Sequence, residues 1–360
     1  MRREKTVRIG LIGAGGMGLR HAVNIQQCIG TANVTALCDP NKAQVEKLSI
    51  LCGDPTVFED PVDLVQADCV DAVIVAAPDP FHAQLVMNCL SAGKPVLCEK
   101  PLSVDVEDAV RILEAENSLG RRLISVGFNR RFDAFHTAVK KTCDSGVAGS
   151  PLLWKGSHRN ASAMYNTSGA FILINSAGHD IDSARWLLAS DVKDVFVLGL
   201  RSRKELPDSA QDLLLLQMTM QNGCLATAEV YVNADYGYEV SAEVVCQRGT
   251  VTTGQPDLAL LRAQNRRSTA LTSDFRVYYQ ASYVAEITEW ITSIQCDRTF
   301  GGACAWDGYA AVAVSNAAVQ SLENHTPVAV EPIKKPALYE DTIKMEGGLL
   351  HNGSQFRQGK

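Results

Sequence analysis

In the first third of the chain, apolar positions come in short continuous runs: VRIGLI at 7–12, DAVIVAAP at 71–78 and PVLC at 95–98. Stretches with apolar residues at helical spacing lie between them. Uninterrupted runs of this length mark strands buried on both faces, and their alternation with helices predicts a parallel, doubly wound α/β sheet. The pattern places a helix over 80–93, ending at Gly93, and another from about 103 to 118. A further strand is expected in RLISVGF at 122–128.

From residue 151 the rhythm changes. DLLLLQMTM (212–220), Gln221-Asn222-Gly223 and CLATAEVYV (224–232) predict a β-hairpin turning on Asn-Gly. Residues 238–246, Gln247-Arg248-Gly249 and 250–254 repeat the arrangement. The second half therefore reads as an α+β domain with a large, mostly antiparallel sheet. A helix is expected over 180–188, and helices return at 281–296 and 306–323. The apolar run at 170–174 reads as a strand handing over to the 180–188 helix. The divisions are 1–128, 129–340 and a poorly ordered tail at 341–360, and a sheet with one face free is a plausible surface for a homo-oligomer.

Length and charge narrow the class. A chain of 360 residues exceeds one ordinary core, in keeping with two domains. The net charge of −6 argues against nucleic acid as the partner. No apolar stretch reaches the ~20 residues that span a bilayer, and MRREKTVRIG runs straight into a strand rather than reading as a signal peptide. The eleven cysteines show no CxxC and no zinc-type spacing, so no metal site is expected, and a reducing cytoplasm is the simplest setting.

Chemistry enters at GAGGMG, 13–18, between a strand and a helix. Gly13, Gly15 and Gly18 fit G-x-G-x-x-G, with Asp39 closing the next strand. Gly13 permits the tight turn, Gly15 admits a pyrophosphate and Gly18 allows close packing. Gly16 and Met17 complete the loop at the helix start, where phosphate charge is favoured. Asp39 would accept ribose hydroxyls and repel a 2′-phosphate, so NAD is expected over NADP. Ala77, Pro78 and His82 follow a strand end and are candidates to face the cofactor. Glu99 and Lys100 follow another, and Pro101 restricts the lysine backbone to an extended direction.

A second focus is INSAGHDID, 174–182, which gathers Asn175, His179 and Asp182. It fits a metal site, a helix cap or a proton-transfer station; a metal would need further convergent ligands, which its neighbourhood lacks. Asp182 reads equally as a first-turn acid or a partner of substrate hydroxyls. Arg130 is a candidate clamp for those hydroxyls, with Arg131 in structural pairs; Tyr236 or Tyr238, at most one of the two, lines the pocket. His136 is expected at the surface.

GAGGMG, EKP at 99–101, GFNRRFD at 127–133 and HDID at 179–182 together resemble the glucose–fructose oxidoreductase/inositol dehydrogenase family over roughly residues 6–340. HRN (158–160, with Asn160), AEVYVNADYGYEV (228–240, with Tyr236) and AWDGY (305–309) look most like its myo-inositol-oxidising members. The resemblance implies a Rossmann domain, bound NAD and oxidation of a ring secondary alcohol of a cyclitol or sugar to a ketone. It makes Lys100 the catalytic lysine and His179 the proton acceptor, whose ordinary pKa of about 6.5 suits the task. Where inositol dehydrogenases commonly carry an aspartate four positions before the histidine, this chain has Asn175, which can orient a neighbour but cannot hold a proton. Two other readings are a sugar or glycoside dehydrogenase of the same family and a non-catalytic NAD-binding sensor.

Overall fold

A computed structural model describes residues 6–163, 167–254, 260–331 and 333–340. The tail expected at 341–360 lies outside them. The first lobe is built on β1 (Val7–Ile12), β2 (Ala32–Cys38), β3 (Thr56–Phe58), β4 (Ala72–Val75), β5 (Val96–Cys98) and β6 (Ile124–Val126). These pair in parallel, in the order β6-β5-β4-β1-β2-β3. The order reverses between β1 and β4, the crevice where doubly wound sheets bind ligands. Helices α1 (Gly16–Cys28), α2 (Lys42–Cys52), α3 (Pro61–Gln66), α4 (His82–Ser91) and α5 (Val106–Leu119) alternate with the strands. Ile9, Val73, Ile74 and Val75 are wholly buried, which is why these strands read as unbroken apolar runs.

After α6 (Ala134–Asp144) comes the second sheet: β7 (Pro151–Arg159), β8 (Val192–Leu200), β9 (Leu213–Met220), β10 (Leu225–Tyr231), β11 (Glu239–Cys246) and β12 (Gly249–Thr252). Its pairs are antiparallel except β7 with β10. The expected hairpin is β9–β10, with Leu225 opposite Thr219 and Gly223 at φ +87°. Leu214, Leu216, Met218 and Met220 alternate inward into the core to which α7 (Gly169–Asn175) and α8 (Gly178–Leu188) also contribute.

The run at 170–174 is thus α7, a helix and not the expected strand. Periodicity cannot separate the two over five apolar residues. Here Ser168 decides, its side chain accepting from Phe171 N as an N-cap. Beyond a small exposed hairpin of β13 (Leu260–Ala263) and β14 (Arg266–Thr269), the chain returns through α9 (Phe275–Tyr278) and α10 (Gln280–Gln295). Ile287, Trp290 and Ile291 of α10 complete the core under β1. β15 (Ala303–Cys304) pairs with β6, so the C-terminal half contributes to the first lobe beyond residue 129. α11 (Ala305–Asn324) spans both lobes, and β16 (Val328–Ala329) edges the second sheet.

Candidate active site

The glycine loop is shaped for a pyrophosphate. Gly13 sits at φ +98°, and a Cβ there would lie 2.4 Å from the Ala76 carbonyl oxygen. A Cβ on Gly18 would lie 1.9 Å from Gly13 O, so loop and helix touch backbone to backbone. Around Gly15 nothing lies within 4 Å of the same position. Gly15 also begins α1 without a side-chain cap, leaving the first N–H groups to a ligand anion. Asp39 accepts from Ala14 N (2.6 Å) and Asn41 N (2.7 Å), which fixes the carboxylate at the end of β2 with lone pairs to spare. These residues fit a dinucleotide. Met17 packs toward the aromatic cluster of Tyr238, Tyr279 and Tyr283, and Gly16 opens the helix.

Ala77 and Pro78 follow β4 at the carboxyl edge of the sheet. His82 opens α4. It is buried, with Nδ1 2.7 Å from Pro101 O and Nε2 2.7 Å from Ala77 O. Both ring nitrogens are thereby spent on joining the two strand ends. Glu99 is turned inward as well, its Oε1 2.7 Å from His21 Nε2. That bond and the nearby positive groups hold its carboxyl below the usual range against the cost of burial.

Lys100, joined to Pro101 by a cis bond, points at the end of α7. Its Nζ donates to Asn175 O (3.1 Å) and Oδ1 (3.3 Å). Asn175 Nδ2 in turn donates to Asp79 Oδ2 at 2.9 Å. Burial lowers the Lys100 pKa despite the charges of Glu99 and Asp79. His179, in the first turn of α8, meets Phe128 edge to face at 6.0 Å, and its Nδ1 is buried without a hydrogen-bond partner. Burial, then the positive charges of Lys100 and Arg130, push the His179 pKa well below its usual value. The imidazole is therefore neutral near neutral pH, as a proton acceptor must be.

Arg130 and Asp182 each lie in a buried ion pair. Arg130 is buried, its Nη1 donating to Asp180 Oδ1 (2.7 Å), while Asp180 Oδ2 lies 2.8 Å from His158 Nδ1. Arg130 Nε and Nη2 have no partner among the described residues, so a hydroxyl-binding role stays open to them. Asp182 is a buried acid outside the first turn, taken by Arg131 at 3.0 and 2.6 Å on its two oxygens. Asp307 and Arg185 extend that pair into a buried ion-pair network.

Tyr236 is also displaced from its expected place: it is half exposed, bonded to Arg159 and Glu239. Tyr238 is the buried tyrosine, edge to face with His158 at 6.0 Å. Asn160 follows β7, its buried Oδ1 without a partner among the described residues. His136 is buried and paired with Asp133, not exposed. Among the described residues no group of three or more His, Cys, Asp or Glu could hold a metal.

Asp79, His158 and Asp180 were not singled out from sequence. A faint signal existed for two of them, since His158 opens HRN and Asp180 lies inside HDID.

A dinucleotide loop at the switch point of one lobe, facing a lysine and a neutral histidine across to the other, defines a nicotinamide-dependent dehydrogenase. Residues 7–128 match the family profile described as the oxidoreductase family, NAD-binding Rossmann fold, and residues 136–252 match the Gfo/Idh/MocA C-terminal domain. The chain belongs to the Gfo/Idh/MocA oxidoreductase family. It is 38% identical over 344 residues to an inositol 2-dehydrogenase of Rubrobacter xylanophilus, covering 96% of this chain and 99% of that one. An inositol 2-dehydrogenase of Klebsiella pneumoniae is 34% identical over 336 residues, covering 93% and 99%. Among solved structures, myo-inositol dehydrogenase from Lactobacillus casei in complex with NAD(H) and myo-inositol superposes with a TM-score of 0.89 at 29% identity, covering 93% of this chain and all of that one.

Proposed function

We propose that this chain oxidises a ring secondary alcohol of a cyclitol, myo-inositol or a close relative, to the ketone with NAD. The observation that carries the reading is that Lys100, at the end of β5 and bonded to Asn175, and His179, at the start of α8, lie close enough to interact by charge. The positive charge of the first depresses the proton affinity of the second. When bound, NAD supplies the acceptor for the hydride that leaves the carbinol carbon. An ammonium has three N–H donors, and Lys100 uses two acceptors on Asn175, so a third donor remains for the reacting oxygen. That contact stabilises charge developing on the oxygen as its proton passes to the His179 imidazole. Arg130, held by Asp180, and Asn160 with its unpartnered Oδ1 offer donors and an acceptor to the other ring hydroxyls.

The relatives named above act on inositols, and this favours a cyclitol over a glycoside. An NAD-binding sensor would need no neutral histidine beside a lysine. NADH absorbance followed with a panel of inositol stereoisomers, sugars and glycosides tests the reading. Fastest turnover on a cyclitol is expected; NAD binding with no turnover on any of them would overturn it.

A homo-oligomer is also proposed. Leu198, Leu200 and Leu225 are exposed on the face of the second sheet turned away from α7 and α8, and a second copy of the sheet would cover them. Light scattering that returned only the monomer mass would refute it. All eleven cysteines are unpaired, which suits a reducing cytoplasm.

A further inference from the structure

Lys100 is half-buried, and the groups whose charge reaches it are Glu99 on its own loop, Asp79 after β4, Arg130 after β6, His158 on β7 and His179 on α8. Of the two carboxylates, Glu99 is turned away onto His21 at 2.7 Å. Asp79 is connected: its Oδ2 accepts from Asn175 Nδ2 (2.9 Å), and Asn175 Oδ1 accepts from Lys100 Nζ (3.3 Å). An amide is a donor at one end and an acceptor at the other, so hydrogen bonding to an anion orients it and polarises the oxygen that faces the ammonium. The same bond selects the amide rotamer, since the reverse orientation would set N–H against Nζ and O against a carboxylate.

We propose that Asp79 is a positioning residue for Lys100, acting through Asn175, so that Asp79, Asn175 and Lys100 form one hydrogen-bonded line in which the counter-charge lies one side chain behind the group that touches the lysine. The proposal rests on the reading of Lys100 as the residue that meets the reacting oxygen. It assigns Asp79 no contact with substrate.

Moving the charge separates this role from a structural one. In Asp79→Asn the line keeps its shape but loses its anion, and Lys100 gives up its proton at lower pH. In the exchanged variant, D79N with N175D, the amide stands behind and the carboxylate in front. The Lys100 contact becomes a direct ion pair, and the lysine holds its proton to higher pH than in Asp79→Asn. In N175D alone two carboxylates face each other across the 2.9 Å contact, so one of them retains a proton.

The experiment is the pH dependence of Lys100 acylation, read on its own peptide by mass spectrometry with NAD bound, in the wild type, D79N and the exchanged variant. It needs no substrate, so absence of turnover on every cyclitol would sink the proposed reaction without touching this result. The expected outcome is a shift to lower pH in D79N and its reversal in the exchanged variant. In cyclitol turnover the loss in D79N should fall on kcat rather than KM and be recovered by the exchange. A Lys100 titration unmoved in D79N, or moved and not reversed by the exchange in a protein that binds NAD normally, overturns the proposal. If D79N fails to fold, the wild type is compared with Asn175→Leu, which cuts the line to Asp79, and equal Lys100 titrations in those two overturn it.

Discussion

Replacing Asp180 by Asn removes a charge from the most enclosed ion pair bordering the site while changing almost no volume. Asp180 is 1% exposed and is shared by Arg130 Nη1 at 2.7 Å and His158 Nδ1 at 2.8 Å. An amide can accept from only one of these donors, and its NH₂ confronts the other. His158 can adapt by changing tautomer, but Arg130 cannot shed its proton and already has Nε and Nη2 without partners. The variant therefore strands a buried guanidinium, a loss of about 3–5 kcal/mol. Urea unfolding followed by circular dichroism at neutral pH measures it. A double variant, R130M with D180L, removes both charges and should lose much less than D180N alone. The acid side adds a sign. The Asp180 pKa is lowered by Arg130 and His158 against the cost of burial. Its stabilisation is thus present above the ordinary carboxylate pKa and lost as pH falls through the lower, folded value. D180N should lack that acid-side decline. A loss under about 1 kcal/mol in D180N, within the range of many surface changes, or a double variant as unstable as the single one, would refute the reasoning.

Gly18→Ala must force apart two backbone segments, since its Cβ would lie 1.9 Å from Gly13 O. Calorimetry should show NAD affinity falling by about tenfold or more, equivalent to about 1.4 kcal/mol; unchanged affinity would mean that the loop relaxes freely. His179→Asn should lower kcat by roughly 10²–10⁴ with NAD affinity retained, and a smaller loss would remove His179 from the proton step. Glu286, buried on α10 with neither carboxylate oxygen hydrogen-bonded among the described residues, has a pKa raised well above normal by burial. Its folded form keeps a proton that the unfolded chain releases, so stability falls by about 1.4 kcal/mol per pH unit above the unfolded pKa. Glu286→Gln should overtake the wild type in thermal midpoint as pH rises through that window, and parallel curves would contradict the assignment.

The dinucleotide half was legible because its signals are local: an unbroken apolar strand, glycines at fixed offsets and a carboxylate at the next strand end. The far wall was less so. The five apolar residues before Asn175 fit a strand as well as a helix, and Ser168, three residues before Phe171, was a cap in a pattern not read as one. Choosing between Asp180 and Asp182 required knowing which side of α8 faces Arg130, because two residues along a helix point nearly opposite ways. Tyr236 and Tyr238 are separated by Gly237 at φ +143°, a break in the strand path that no alternation rule anticipates. Asp79 was invisible for a different reason. Its role depends on Asn175, ninety-six residues away, and a hydrogen bond across that separation leaves no mark on spacing.

The pairings also support the proposal that His179 is the proton acceptor. Arg130 and His158 share Asp180, His21 has Glu99, Arg131 has Asp182 and Asp307, and Lys100 reaches Asp79 through Asn175. His179 alone among these basic groups has no carboxylate partner among the described residues, and the strongest charges acting on it, Lys100 and Arg130, are positive. Such a field keeps the imidazole empty until the alcohol arrives, but it also makes a proton costly to accept. Bound NAD would supply a positive nicotinamide ring near this field, and loss of that charge on taking up the hydride would let His179 hold a proton more readily. A carboxylate at position 175 would raise the proton affinity of His179 before the hydride moves; an amide with its acid set one residue back holds Lys100 in place while leaving the histidine neutral.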